Sequence, residues 1–352
     1  MNSSLHNKEI ELIKNIAGSF LRHPKQFNKL FEADAEIIDF RDVSPDYLVF
    51  KLDGINEEIK EKLYEDPYLI GWMSVTVTAS DLAAVGCEPL GLLLSLQISK
   101  DFNEAWMKQF RKGINDACET YETKILGGDT NFDNHLAVTT AGIGIINQNR
   151  PLIRKNISPG DLLYSTALLG RGNAFAYSRF FNSSIKVNYK PTARIKESKI
   201  IRQYAGACID TSDGLFPALS VLGELNDTGF KFSSPLRNIL CNETRMVSEV
   251  ASIPSWIFLA GPHGEYELLF TISSSIQNEF EKVCSKENWI PVLLGEIVTG
   301  KQVKFLSEQT QIQCDPSEIA NLFGESEGNI HRYFQMLMQK HEQWIKNKTA
   351  VC

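Results

Sequence analysis

The sequence predicts a protein of the α/β class, with α+β layers arranged in two lobes. Apolar runs typical of strands, such as residues 47–52 and 90–98, alternate with segments of helical periodicity, such as residues 67–85. A Pro-Gly-Asp turn at residues 159–161 is followed by a second alternating series of strands and helices. The chain has 352 residues, 43% of them hydrophobic, which is enough to bury the cores of two domains.

The pattern places elements in order along each lobe. The first lobe is predicted to contain a helical lead-in over 1–30, strands over 36–40 and 47–52, a helix over 67–85, a strand over 90–98, a helix over 105–121, and strands over 124–126 and 136–146. The second is predicted to contain strands over 162–166, 207–210, 230–232, 267–272 and 292–297, and helices over 173–181, 193–204, 215–225, 275–286 and 329–348. We therefore predict domains over residues 1–157 and 158–315, followed by a helical tail over 316–352.

Composition excludes several classes of protein. The formal net charge of −7 argues against a nucleic-acid partner, which would need a basic surface to neutralise phosphates. The longest apolar stretches, such as residues 90–98, are far shorter than the ~20 residues that span a bilayer. The N-terminus lacks the layout of a signal peptide, and the seven cysteines form no C-x-x-C pair. We therefore expect a soluble, cytoplasmic protein with reduced thiols and no membrane partner.

The common catalytic signatures are absent from the sequence. There is no phosphate-binding loop of the G-x-x-x-x-G-K-[ST] type, no G-x-S-x-G elbow and no protein-kinase motif set. The six histidines include no two at zinc-binding spacing. If the chain is an enzyme, its chemistry must come from other residues.

A set of aspartates stands in small-residue settings at predicted element boundaries. The members are Asp34, Asp53, Asp81, Asp129, Asp210 and Asp213. Each has an ordinary structural interpretation: Asp81 as a helix N-cap, Asp213 with Gly214 as a turn, and Asp34 as a surface residue. Their combination points to a site, because Mg²⁺ prefers hard oxygen ligands and carboxylates from separate strand ends can converge on one metal-bound triphosphate.

The run Gly127-Gly128-Asp129-Thr130 is the most specific of these settings. We predict that it follows a buried strand, where two glycines would let backbone N–H groups approach a phosphate closely. Asp129 and Thr130 would then hold Mg²⁺ against that phosphate.

Five motifs in order identify a resemblance that covers about residues 10 to 305. They are Ser80-Asp81-Leu82-Ala83-Ala84-Val85-Gly86-Cys87-Glu88-Pro89, Gly127-Gly128-Asp129-Thr130, Ser158-Pro159-Gly160-Asp161, Asp210-Thr211-Ser212-Asp213-Gly214-Leu215 and Glu265-Tyr266-Glu267-Leu268-Leu269-Phe270. In this order they resemble thiamine-monophosphate kinases, which belong to the PurM-like superfamily of aminoimidazole ribonucleotide synthase. The resemblance implies a PurM-like fold, with an N-terminal domain that binds ATP and Mg²⁺ and pairs its sheet in a homodimer.

The resemblance also implies roles for individual residues. The metal ligands would be Asp34, Asp53, Asp81, Asp129, Asp210 and Asp213, with Asp129 and Asp213 central to catalysis. The nucleotide contacts would be Gly127, Gly128, Asp129, Thr130, Arg154 and Ser212. Arg154 suits this role because a guanidinium forks onto phosphate oxygens.

The departures from the family fall on the acceptor side. Ala33 replaces the first of two early aspartates, Lys60 stands about where the family has a substrate-binding histidine, and Gly264 replaces a glutamate that contacts thiamine. No C-terminal aromatic that would stack on the substrate is identifiable. We therefore predict a changed acceptor, which is anionic and is bound by Lys60 and His263, with Glu265 as a further acceptor-side residue.

Three functions remain open from the sequence. The leading one is an ATP- and Mg²⁺-dependent phosphotransferase that acts on a small-molecule acceptor, as thiamine-monophosphate kinase does. The second is ATP-dependent activation of an amide or carbonyl oxygen, as in the synthase or dehydratase branches of the superfamily. The third is a catalytically silent nucleotide-binding partner subunit.

Overall fold

The computed structural model describes residues 23–349 except 40, 43–45, 100–102 and 148–149. The predicted helical lead-in lies outside the described residues up to position 22. Its remaining part, residues 23–30, is irregular, with a single β-bridge from Gln26 to Ile38. That part of the prediction is wrong, because these residues pair with the edge of a sheet.

The first sheet has five strands in the spatial order β1-β2-β5-β3-β4. Its strands are β1 (Glu36–Asp39), β2 (Asp46–Gly54), β3 (Glu88–Ile98), β4 (Ile125–Phe132) and β5 (Ala137–Asn147), and the helices of this part are α1 (Asn56–Lys60), α2 (Pro67–Ala84) and α3 (Glu104–Thr120). All neighbouring strands are antiparallel except β3 and β4, which are parallel.

Helix α2 forms the core of this first part. Asp66 caps its N-terminus by accepting a hydrogen bond from the Leu69 amide at 3.1 Å, and Pro67 occupies the first helical position. Every residue from 69 to 84 is buried, because small and apolar side chains surround the helix axis. One side of α2 packs on the inner face of the sheet, where Thr78 and Thr140 hydroxyls lie 2.5 Å apart.

The second sheet has seven strands in the order β12-β11-β8-β10-β6-β9-β7. Its strands are β6 (Leu162–Ser165), β7 (Ala205–Asp210), β8 (Thr228–Phe232), β9 (Leu268–Ile272), β10 (Val292–Thr299), β11 (Val303–Ser307) and β12 (Thr310–Cys314). Its helices are α4 (Arg171–Phe180), α5 (Ile195–Tyr204), α6 (Leu215–Asn226), α7 (Leu236–Ile239), α8 (Asn242–Ala251) and α9 (Gln277–Lys286). The predicted boundary at residues 157 and 158 falls between β5 and β6; the division into domains stays a prediction.

The C-terminal tail packs on the core of the second sheet. It contains α10 (Ser317–Ala320), α11 (Leu322–Glu325) and α12 (Ile330–Thr349). Tyr333 and Leu337 of α12 are buried in that core, and the Trp344 ring lies 4.8 Å from that of Trp256. The predicted tail helix is therefore present. Among the described residues, no helix has the length and apolar character needed to cross a membrane.

Most predicted elements are present within one or two residues of their predicted bounds. The pattern missed α1, α7 and the β11–β12 hairpin, because short elements contain too few turns or residue pairs to establish a period. It also missed α8, which is as long as the predicted helices α4 and α5. Six cysteines in the described part of the chain are buried and unbridged.

Candidate active site

The two sheets meet at a cleft in which buried carboxylates converge. Asp34 precedes β1, Asp81 lies in the last turn of α2, and Asp210 is the last residue of β7. Each offers a carboxylate oxygen within 4.8 Å of the other two. Asp81 therefore does not cap a helix, since α2 begins 14 positions earlier at Pro67.

Burial and mutual repulsion dominate the electrostatics of this cluster. The pKa of Asp81 is raised well above its usual value by burial and by Asp210, Asp53 and Asp34, while Lys51 opposes this shift. Burial and Asp34 also raise the pKa of Asp210. The hydroxyls of Ser80 and Ser212 donate to Asp210 at 2.7 and 2.9 Å and favour its ionised form.

Two cations neutralise part of the cluster. Arg154 donates to both oxygens of Asp34, at 3.1 Å from Nε and 2.5 Å from Nη2. Lys51 Nζ lies 3.0 Å from Asp81 Oδ2 and 3.7 Å from Asp53 Oδ2. Burial would lower the pKa of Lys51, but Asp81 and Asp53 outweigh burial and raise it above the usual value, so this lysine stays charged.

The donor set fits Mg²⁺. Its members are carboxylate oxygens, which are hard ligands, and they come from separate elements that hold them close together. Within the part of the chain that the structure describes, the four carboxylates of Asp34, Asp53, Asp81 and Asp210 exceed the two nearby cations, Lys51 and Arg154, in charge. A bound divalent ion would therefore reduce the remaining repulsion.

The cluster lines a cavity of about 300 Å³, which joins a second cavity of about 540 Å³. Both are lined by Lys51, Glu58, Arg154, Asp210, Ser212, Asp213, Pro262 and His263. The larger cavity has apolar walls that include Phe31 and Phe323, and an acidic wall of Glu57, Glu58 and Glu61 from α1 and the residue after it. The pKa of Glu58 is raised to about 7 by burial and by the neighbouring carboxylates of Glu57, Asp53 and Glu61.

The structure brings together most of the predicted metal and nucleotide ligands. Those that line the smaller cavity are Asp34, Asp53, Asp81, Arg154, Asp210, Ser212 and Asp213. Asp213 stands at the exposed rim, just before Gly214, which is the N-cap of α6 and has a φ of 91°.

The Gly127-Gly128-Asp129-Thr130 run does not join this cluster. It lies inside β4, an exposed edge strand, rather than after a buried strand, so the prediction of its setting is wrong. A Cβ on Gly128 would lie 1.9 Å from the Leu94 carbonyl oxygen, so glycine is required here for close pairing with β3.

Sheet register places Asp129 on the outer face. Gly54, Thr139, Ser95 and Asp129 form one row across β2, β5, β3 and β4. Three strand spacings, about 14 Å in all, separate the end of β2 from β4. Successive side chains alternate between faces, so Asp129 projects on the face opposite to Thr140, which contacts α2.

The predicted acceptor residues have three different settings. Lys60 ends α1 with an exposed side chain and lines neither cavity. His263 lines both cavities; burial lowers the pKa of its imidazole to about 4, and its buried Nε2 has no hydrogen-bond partner among the described residues. The imidazole is therefore neutral near pH 7 and supplies no positive charge for an anionic acceptor.

Glu265 supports the local backbone and does not line the candidate site. It is buried, accepts a hydrogen bond from the Gly170 amide at 2.8 Å at the start of α4, and lines neither of the two joined cavities. Its neighbour Gly264 has no room for a side chain, because a Cβ there would lie 1.5 Å from the Thr211 carbonyl oxygen. In this chain the loop itself therefore excludes a glutamate at position 264.

Sequence reasoning missed several residues of the cleft, and three of them show why. Lys51 follows the alternating pattern of a strand, and nothing local distinguishes it from a solvated lysine. Glu58 lies in a short acidic helix that resembles a solvated surface segment. Phe323 lies in the predicted tail, at a position that the motifs do not reach.

Comparison with known sequences identifies the family to which the chain is similar. The chain matches the family model for AIR synthase related protein, N-terminal domain, over residues 32–146. It is 32% identical to the thiamine-monophosphate kinase of Buchnera aphidicola subsp. Schizaphis graminum over 260 residues, covering 70% of this chain and 78% of that protein. It is 31% identical to the thiamine-monophosphate kinase of Pyrococcus horikoshii over 274 residues, covering 75% and 82%.

Solved structures share the fold. AaThiL complexed with AMPPCP and TMP superposes with a TM-score of 0.70 at 22% identity, covering 89% of this chain and 96% of that chain. A chain of the HypE–HypF complex superposes with a TM-score of 0.69 at 18% identity, covering 86% of this chain and 99% of that chain. The curated relatives define an ATP-dependent kinase, and the family model gives it the PurM-like architecture that the solved structures share. The chain belongs to the thiamine-monophosphate kinase family.

Proposed function

We propose that this protein transfers the terminal phosphoryl group of ATP to thiamine monophosphate in an Mg²⁺-dependent reaction. The observation that carries the proposal is the joined cavity, in which a carboxylate cluster adjoins an acidic and aromatic pocket. The first part suits a metal-bound triphosphate, and the second suits a cationic aromatic ring. Family membership supports the same reaction.

On the nucleotide side, Asp34, Asp81 and Asp210 would hold Mg²⁺, which neutralises charge on the triphosphate when bound. Arg154 lines the cavity and can share its N–H groups between Asp34 and a phosphate oxygen. Ser212 and Asp213, which precede α6, stand where the phosphates would pass. The acceptor is a phosphate monoester, already anionic near neutral pH, so the site needs no side chain to remove a proton from it.

On the acceptor side, α1 supplies negative charge in place of the glutamate that position 264 excludes. Glu58 lines both cavities, and Glu57 and Glu61 extend the acidic wall. Phe31 and Phe323 supply aromatic surface. These residues favour an acceptor that carries a cationic ring over the purely anionic one predicted from Lys60 and His263. The neutral imidazole of His263 can still donate or accept one hydrogen bond.

A homodimer formed through the outer face of the first sheet is part of the proposal. This face exposes apolar side chains on three strands: Leu52 is 67% exposed, Leu93 42% and Leu126 60%. Burial of such a patch would stabilise association. Asp129 projects on the same face, so a second copy of the chain would receive it, and we propose that it acts in the partner's cleft.

The first experiment incubates the purified full-length chain with ATP, MgCl₂ and thiamine monophosphate and follows thiamine diphosphate and ADP by chromatography. Equal amounts of the two products support the proposal. Orthophosphate without thiamine diphosphate would favour activation of a carbonyl oxygen instead. If no ATP is consumed with any acceptor, while Asp81→Asn and the parent behave alike, the chain is a silent nucleotide-binding subunit.

The dimer is tested by complementation. Asp129→Asn and Asp81→Asn chains are each expected to be inactive alone. Refolded or co-expressed together, they should regain about a quarter of the parent activity if each site draws Asp129 from one copy and Asp81 from the other. Analytical ultracentrifugation tests the outer face of the first sheet directly. The parent should sediment as a dimer and Leu93→Asp as a monomer. Absence of complementation in a verified mixed dimer would place Asp129 outside the partner's cleft.

A further inference from the structure

We propose that the ammonium group of Lys51 takes the place of one divalent cation in the carboxylate cluster, so that the site needs fewer metal ions than its carboxylates alone would require. This inference rests on the proposed function, because it concerns how the same site holds metal-bound ATP. It assigns Lys51 as a positioning residue for that reaction.

The geometry of Lys51 is that of an ion between two ligands. Its Nζ lies 3.0 Å from Asp81 Oδ2 and 3.7 Å from Asp53 Oδ2, and so bridges carboxylates of α2 and β2. The Asp81 side chain is 8% exposed and that of Lys51 is 24% exposed, so water screens the pair little. The lysine ammonium is a compact point charge with three donors, which suits contact with more than one carboxylate.

The remaining carboxylates of the cluster have other partners. Asp34 is held by two hydrogen bonds from Arg154, and Asp210 by the hydroxyls of Ser80 and Ser212. Among the residues that the structure describes, Lys51 is therefore the cation that faces the Asp53–Asp81 side. A divalent ion bound between the same two oxygens would lie about 4 Å or less from the ammonium, where like charges repel strongly.

The consequence concerns the number of metal ions bound. Divalent ions remain free to bind Asp34, Asp81 and Asp210 from the side away from Asp53, and to bind the phosphates. The Asp53–Asp81 side is already occupied by a charge that belongs to the chain. Removing that charge without filling its space should open one further place for a divalent ion.

The test counts bound Mn²⁺ by electron paramagnetic resonance, with the full-length protein and an excess of AMPPCP. We expect Lys51→Met to bind one more Mn²⁺ per chain than the parent, or to bind its weakest Mn²⁺ at least tenfold more tightly. Lys231→Met is the matched control, because Lys231 pairs with Glu296 at 2.7 Å on the surface of the second sheet, and it should match the parent.

Thermal unfolding gives a second readout that does not depend on activity. Lys51→Met should have a lower Tm than the parent in EDTA, and Mn²⁺ should restore it, since the ion replaces the lost charge. If Lys51→Met fails to fold without metal, Lys51→Ser is purified in Mn²⁺ instead, and its bound Mn²⁺ ions are counted by the same method. An unchanged Mn²⁺ count together with an unchanged Mn²⁺ affinity in both variants, or a lowered Tm that Mn²⁺ does not restore, overturns the inference for Lys51. A parent chain that binds no Mn²⁺ with AMPPCP overturns the proposed function as well.

Discussion

Arg154 and Asp34 form a two-pronged ion pair across the cleft, with nitrogen to oxygen distances of 3.1 and 2.5 Å. The Asp34 side chain is 1% exposed and that of Arg154 17% exposed. The family resemblance implies that Arg154 contacts the nucleotide and Asp34 a metal ion. In the structure they also stabilise each other, so a ligand that enters here meets a pair already in place.

Removal of Arg154 should therefore affect both stability and nucleotide binding. We expect Arg154→Ala to lower the free energy of unfolding by about 3–5 kcal/mol in EDTA, because it leaves a buried carboxylate without its partner. It should also weaken ATP binding by about 10- to 100-fold, the loss expected for a charge-assisted hydrogen bond. Urea unfolding and calorimetric titration with AMPPCP measure the two effects.

Arg154→Lys is the matched control for charge. Lysine retains the positive charge but cannot donate two parallel hydrogen bonds as the guanidinium does. We therefore expect intermediate values for the free energy of unfolding and for the affinity for AMPPCP. Unchanged AMPPCP affinity in Arg154→Ala would show that Arg154 serves only Asp34.

Glu265 should make stability depend on pH. Burial, with Glu267 as a further cause, raises the pKa of Glu265 from 4.5 to about 8. The folded state thus favours the protonated form, and stability should fall as pH rises from about 4.5 to about 8, by at most 1.4 kcal/mol per pH unit. Glu265→Gln, which retains an oxygen for the Gly170 amide, should flatten this decline and exceed the parent in stability at pH 8. Urea unfolding at pH 5, 6, 7 and 8 measures the difference.

The control for this prediction is Glu249→Gln, which alters an exposed glutamate on α8. Its stability curve should run parallel to that of the parent. If the Glu265→Gln curve is parallel as well, the carboxyl group is already ionised in the fold at pH 5.

Glu58 and Lys60 distinguish the two acceptor hypotheses, because they lie on the same short helix. Glu58 lines both cavities and Lys60 lines neither. At pH 8, above the pKa of about 7 for Glu58, we expect Glu58→Gln to raise the KM for thiamine monophosphate about tenfold while leaving the KM for ATP unchanged, since only the cationic ring of the acceptor loses an attractive charge. Lys60→Ala should leave both constants unchanged. The opposite result, with an effect at Lys60 alone, would support the anionic acceptor predicted from the sequence.

The C-terminal helix should act on the acceptor pocket through one hydrogen bond. The buried Tyr333 hydroxyl donates to the Gly261 carbonyl oxygen at 2.7 Å, at the start of the loop that carries His263. Tyr333→Phe leaves that carbonyl without its partner, which should cost about 1–3 kcal/mol of stability. It should also raise the acceptor KM more than the ATP KM. Steady-state kinetics with each substrate varied in turn measures this effect.

Tyr177→Phe provides the control, because the Tyr177 hydroxyl has no hydrogen bond to any residue that the structure describes, although its ring packs against Phe181. It should leave both KM values unchanged. Equal effects of Tyr333→Phe on the two substrates would mean that α12 supports the whole cleft rather than the acceptor loop.

The local sequence pattern predicts most of the helices and strands but only part of the candidate site. The long helix at α2 and the strands β2 and β3 are predictable because their periodicity and their Asp66-Pro67 start are local properties. The aspartates of the cluster were found through their motifs. Asp129 was found by the same reasoning but placed in the wrong setting, because a strand end and an edge strand have the same local sequence.

Periodicity, capping residues and ordered motifs are local properties of the sequence. The sequence alone therefore predicts the α/β class, the order of the elements and the family. The charge balance of the cleft depends instead on residues that folding brings together, such as Ser80 and Asp210, which bond across 130 positions. That Lys51 faces the carboxylates, that Glu58 lines the acceptor pocket and that Asp129 projects outward all follow from sheet register and domain packing. These are long-range relationships, and no window of sequence contains both partners of any one of them.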